Sequence, residues 1–97
     1  MSIFSLTPES LRQSAQKIEN EALNYENASK VAMMAADELK AGWEGNAQKT
    51  FASEQENAKM WYLKMAEISR QYAAALRAAA AEYERADAES ATAIASR

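Results

Sequence analysis

The chain has 97 residues, two Gly, one Pro and a charged share of 26%, with Ala dominant; this is single-domain size and favours an all-α class over one built from strands. It has no Cys and no His, which excludes disulfides, thiol nucleophiles, zinc sites of the usual kind and Ser-His or Cys-His catalytic pairs. The net charge of −3 argues against nucleic acid as a partner, because nucleic-acid binders normally present a basic face.

The first residues, Met1-Ser2-Ile3-Phe4-Ser5-Leu6, offer neither a basic region nor an apolar stretch of signal-peptide type. No window reaches the ~18 apolar residues of a membrane span. If the protein leaves the cell, it is expected to do so without a cleavable signal peptide, and the redox compartment is left open.

Thr7-Pro8-Glu9-Ser10 opens the first element. Thr7 suits an N-cap, Pro8 the first helical position, and Glu9 the positive end of the helix dipole. Leu6 and Leu11 occupy the two positions of a hydrophobic staple. These signals predict a first helix over about 8–40. Its apolar or small positions recur as Leu11, Ala15, Ile18, Ala22, Tyr25, Ser29, Ala32, Ala36, Leu39 and Trp43, a heptad-like seam. Glu26 and Lys30 are spaced for weak pairing on the helix surface.

Gly42 and Gly45 bracket Trp43 and mark a turn over 41–46. Gly permits the reversal, with positive φ where needed. Trp43 supplies an apolar body to cover the end of the hairpin.

The second helix is predicted over about 46–89. The same rhythm gives Ala47, Phe51, Glu54, Ala58, Trp61, Met65, Ile68, Tyr72, Leu76, Ala79, Tyr83 and Ala86 as its seam. Glu54 is the one charged residue on that seam. It is read as an edge position near the tip that water reaches, with a role in fixing partner register as the alternative. Glu82 and Arg85 are again spaced for surface pairing. The small, polar tail over 90–97 is expected to fray.

Two helices joined by a short Gly-flanked turn fold back antiparallel. One Ala-rich seam offsets little of the entropy of ordering two long helices. Apolar residues also lie off the seam: Leu23, Val31 and Met34 on the first helix, Met60 and Leu63 on the second. These five are the candidate dimer interface. The expected architecture is thus an antiparallel helix-turn-helix hairpin that dimerises into an elongated four-helix bundle.

A Trp-x-Gly turn near the middle of a chain of this length, here Trp43-Glu44-Gly45 between two heptad-patterned helices, resembles the WXG-100 family of ESAT-6-like proteins. These are substrates of type VII, or ESX, secretion systems. The resemblance covers essentially the whole chain. Tyr83-Glu84-Arg85-Ala86-Asp87 matches the family's C-terminal Tyr-x-x-x-Asp/Glu export signal, and residues four apart share one helix face.

The resemblance implies a secreted protein, not an enzyme, with no catalytic residue, metal or cofactor. Its partners would be itself, as a homodimer, or a second hairpin of this type, together with the type VII secretion ATPase. It also implies antiparallel pairing, with one subunit's Trp-x-Gly tip near the other's export signal. With the turn centred between Trp43 and Glu44, Pro8 falls opposite Ala79, and Tyr83 and Asp87 lie on an overhang of roughly 10–15 Å. Both motifs on one chain favour the homodimer over a heterodimer. The alternatives are a membrane-disturbing effector inserting Met60, Trp61, Leu63 and Met65, for which the chain lacks the usual basic face, and an unrelated cytoplasmic coiled-coil scaffold.

Overall fold

The structure, a computed structural model of the chain, describes residues 6–95, with side chains as far as residue 91. Helix α1 spans Pro8–Lys40 and helix α2 spans Gly45–Ala95. They pack as one antiparallel hairpin of 79 × 25 × 18 Å. At ~1.5 Å per residue, α2 alone is nearly the length of the molecule.

The start of α1 follows its sequence signals. The Thr7 hydroxyl accepts from the Ser10 N–H at 3.0 Å, and the Ser10 hydroxyl accepts from the Thr7 N–H at 2.9 Å. This reciprocal box satisfies two donors, with Ser10 in the place Glu or Gln more often takes. The end of α2 departs from expectation. The helix continues to Ala95, past the expected end at Glu89, so the tail read as fraying is helical that far; its last two residues lie outside the described range. Ala91, Ala93 and Ala95 are strong helix formers, and no Gly or Pro intervenes to stop the helix.

The interface between the helices is a ladder of small residues. Leu11, Ala15, Ala22, Ser29 and Ala36 are buried on α1, and Ala66, Ala73 and Ala80 on α2. The α1 seam was thus legible, with Ile18, Tyr25 and Ala32 half-buried beside it and Leu39 and Trp43 left exposed.

The α2 seam is corrected. None of its predicted positions is buried, and Ala47, Glu54, Ala58, Trp61, Ile68, Tyr72, Tyr83 and Ala86 are exposed. The real seam runs one residue later: Gln48, Ala52, Gln55, Tyr62, Ala66, Ser69, Ala73 and Ala80. The reason is steric. Small residues every seventh position on α1 let the backbones approach closely, and a close approach admits small partners, not Trp or Ile. The large apolar stripe of α2 is turned about 100° away from α1.

Candidate functional site

The tip is built from both helix ends. Hydrogen bonds from the Ala41, Gly42 and Trp43 N–H groups to the carbonyls of Asp37, Leu39 and Lys40 close α1. Gly45 opens α2 with φ of +76°, the left-handed region where a Cβ is strained. Trp43 is half-exposed and meets Phe51 edge to face, with ring centroids 5.0 Å apart.

Behind the rings lies a polar clamp that sequence reasoning missed. Gln55 donates to the Asp37 carboxylate at 2.9 Å and to the Met33 carbonyl at 3.4 Å, and accepts from Lys40 Nζ at 2.9 Å. Gln48 donates to the Lys40 carbonyl at 3.3 Å. The Gln55 hydrogen bond, and secondarily the Lys40 charge, hold the Asp37 carboxyl below its ordinary range. The available signal was two Gln at seam spacing.

Along one flank run three cross-helix ion pairs: Arg12 with Glu84, Glu19 with Arg77, and Glu26 with Arg70. The middle pair is bidentate, at 2.8 and 3.3 Å. Both sets of partners step by seven residues in opposite directions, a pattern present in the sequence but unread without the register. The expected Glu26–Lys30 pair gives way to Glu26–Arg70, whereas Glu82–Arg85 forms, joined by Glu89. Arg12 holds the Glu84 carboxyl below its ordinary range, chiefly by hydrogen bonding.

Tyr83 and Asp87 lie past Ala80, the last buried position of α2. Every described side chain from residue 81 to 91 is exposed. Tyr83, 46% exposed, lines an open apolar hollow of about 340 Å³ with Ala79, Glu82 and Ala86. Glu84 and Arg85, between the two, are engaged within the chain by Arg12 and by Glu82 and Glu89. Among the described residues Asp87 joins no ion pair, so Tyr83 and Asp87 are the groups this segment offers outward.

The five interface candidates, Leu23, Val31, Met34, Met60 and Leu63, are all exposed. Met34 and Leu63 share a groove of about 470 Å³ on the ion-paired flank, together with Met33, Lys30 and Lys59; Leu23, Val31 and Met60 lie outside it. The other flank is more apolar. Trp61, Ile68 and Tyr72 are exposed there beside half-buried Ile18, Tyr25, Met65 and Leu76. Tyr25 meets Trp61 edge to face at 5.9 Å.

Among the described residues, no group of three or more acidic side chains is placed to hold a metal, and no helix is long and apolar enough to cross a membrane. No curated protein and no solved structure matches the chain. One family model, described as proteins of 100 residues with WXG, matches residues 3–88. That match takes in the Trp43-Glu44-Gly45 turn, both helix seams and the Tyr83–Asp87 segment, and the chain belongs to the WXG100 family of ESAT-6-like proteins.

Proposed function

We propose that this protein is a substrate of a type VII (ESX) secretion system, exported folded and without a cleavable signal peptide. It acts by binding, as effector, adaptor or co-export partner, and it works as a pair of hairpins, with itself or with a second member of its family. It is not an enzyme.

The observation that carries this reading is the exposure of Tyr83 and Asp87 together beyond the buried interface, on a segment whose other charges are engaged within the chain. Family membership supplies the class of machine, and the secretion ATPase is the receptor this segment would meet. The double variant Tyr83→Ala/Asp87→Ala should keep its helicity and lose export, measured as the share of protein in culture supernatant against cells. Wild-type export of a folded double variant overturns the assignment of the signal.

A membrane-disturbing role is the second reading, favoured by the exposure of Met60, Trp61 and Leu63. A liposome dye-release assay at neutral and acidic pH checks it, and the absence of release at both removes it.

A further inference from the structure

The seam of α2 steps alternately by three and four residues: Gln48, Ala52, Gln55, then Tyr62, Ala66, Ser69, Ala73, Leu76 and Ala80, each buried or half-buried. Lys59 is the one exposed position in that run. Continued past Ala80, the same steps land on Tyr83, Asp87 and Ser90, all of them exposed. Tyr83 and Asp87 are therefore the next stretch of the face with which α2 holds α1. Helix α1 starts at Pro8, and its last ion pair to α2 joins Arg12 to Glu84.

We propose that the secretion ATPase meets this face with a helix laid along the line of α1 prolonged beyond Pro8. That helix turns small side chains toward α2 and a Lys or Arg toward Asp87. The inference rests on the export reading above and adds the face and the chemistry of the receptor.

Continuity with the seam supports the face. Tyr62 lies three heptads before Tyr83 and is half-buried, so a Tyr at this position already packs beneath a helix lined with small residues. Asp87 stands in the heptad of Ala66, Ala73 and Ala80, which are buried. A helix laid there takes water from the Asp87 carboxylate, which is costly unless a cation meets it. The nearest cations of the chain are committed: Arg12 pairs with Glu84, and Arg85 with Glu82 and Glu89. The cation for Asp87 is thus left to the receptor. Arg85, two residues from both Tyr83 and Asp87, is turned ~200° from each, so the opposite face of the segment carries charges that are already paired.

The backbone selects a helix as the occupant. Residues 81–91 are helical, so their N–H and C=O groups bond within α2 and leave no edge for a strand to join. Side chains spaced by three and four present ridges that another helix complements.

The chain has no native Cys, so an added one is labelled alone. In Ser90→Cys, on the proposed face, maleimide labelling should slow about ten-fold once the purified ATPase is in roughly ten-fold excess over its Kd. In Ala88→Cys, turned ~100° or more from Tyr83, Asp87 and Ser90, it should not slow. Helix α1 itself can be made the competitor. Ala and Gln in place of residues 2–7, together with Pro8→Ala, let α1 run on by about two turns, ~10 Å, over Tyr83 and Asp87. That variant should gain helicity and lose both ATPase binding and export. Gly and Ser in place of residues 2–5 should leave export, and the labelling of Ser90→Cys without the ATPase, as they are. The gap in ATPase affinity between wild type and Asp87→Asn should shrink as salt is added, as expected of a charge pair.

Ser90→Cys no better protected than Ala88→Cys overturns the face. Full export of the variant with the longer α1 overturns the line of approach. An affinity gap that salt leaves unchanged overturns the cation. Faster labelling of Ser90→Cys on replacement of residues 2–5 assigns the line to the chain's own N-terminal residues and overturns the receptor helix. Normal export of Tyr83→Ala/Asp87→Ala sinks the export reading itself; loss of its export alongside any of these outcomes sinks this inference alone.

Discussion

At the residue scale, the two glycines of the turn have different roles. Gly45 holds φ at +76°, which an L side chain adopts only with strain, although a Cβ there would meet nothing within 4 Å. Gly42 has ordinary φ, and a Cβ would lie 3.8 Å from the Leu39 carbonyl oxygen, in normal contact. Gly45→Ala should therefore cost about 1–2 kcal/mol of stability through backbone strain. Gly42→Ala should change little, with denaturant unfolding followed by circular dichroism as the readout. Space alone would have ranked them the other way. Two carboxyls set the acid response. Asp37 is held low by the Gln55 hydrogen bond and then by Lys40, and Glu84 by Arg12. A folded-state pKa below the unfolded value gives stability that is present above the ordinary carboxylate range and lost as pH falls through the lowered value. Acidification should thus loosen both ends of the hairpin, the tip at Asp37 and the open end at Glu84. The double variant Asp37→Asn/Glu84→Gln should lose less stability than wild type between neutral and acidic pH. Both groups are solvated, so the difference is modest.

At the element scale, the Arg–Glu ladder fixes how far α2 slides along α1. The buried positions cannot do this alone, because an alanine ladder with a seven-residue repeat fits nearly as well after a slip of one repeat. A slip would set Glu19 against Arg70 or Glu84, and Arg12 against Arg77 in one direction, so the reversal of sign at the Arg12–Glu84 pair distinguishes the registers. Arg77→Glu should lower the unfolding midpoint, and adding Glu19→Arg should restore part of it. A double-mutant cycle should return a coupling of roughly 0.5–1 kcal/mol, as for half-exposed pairs. This scale also shows what could be read from sequence. The cap at Thr7, the start at Pro8 and the α1 seam were legible because Thr-Pro-Glu and a repeat of small residues have local meaning. The α2 seam was displaced by one residue because hydrophobicity marks the largest side chain in each turn, and here the helix contact selects the smallest. Tyr72 and Ala73 are neighbours, and only the small residues facing them on α1 decide which turns inward. The Gln55 clamp and the ion pairs were illegible for a related reason, since each joins residues whose proximity depends on the register.

At the scale of the whole molecule, the hairpin has an interface but scarcely a core. Among the described residues no large side chain is fully buried, whereas Leu23, Val31, Met34, Met60, Trp61 and Tyr72 are exposed. Each buried alanine removes about one methyl from water, ~0.8 kcal/mol, which is little against the entropy of ordering a helix as long as α2. The large apolar side chains that would supply the rest sit on outer faces, where they stabilise only when a partner covers them. Folding and association should therefore be linked. Mass from light scattering and helicity from circular dichroism should fall together on dilution, and the thermal midpoint should rise with protein concentration, because a partner that binds only the folded hairpin stabilises it by mass action. A chain that keeps its helicity and a concentration-independent midpoint as a monomer would show that the alanine ladder and its ion pairs suffice alone. The apolar flank would then be a surface held ready for a different protein. A chain that is weakly helical at every concentration, and gains helicity and a sharp transition on mixing with another hairpin of its family, would assign the flank to that partner. Coupled loss of mass and helix on dilution is the expected result, since the large apolar side chains on the outer faces stabilise the hairpin only while they are covered.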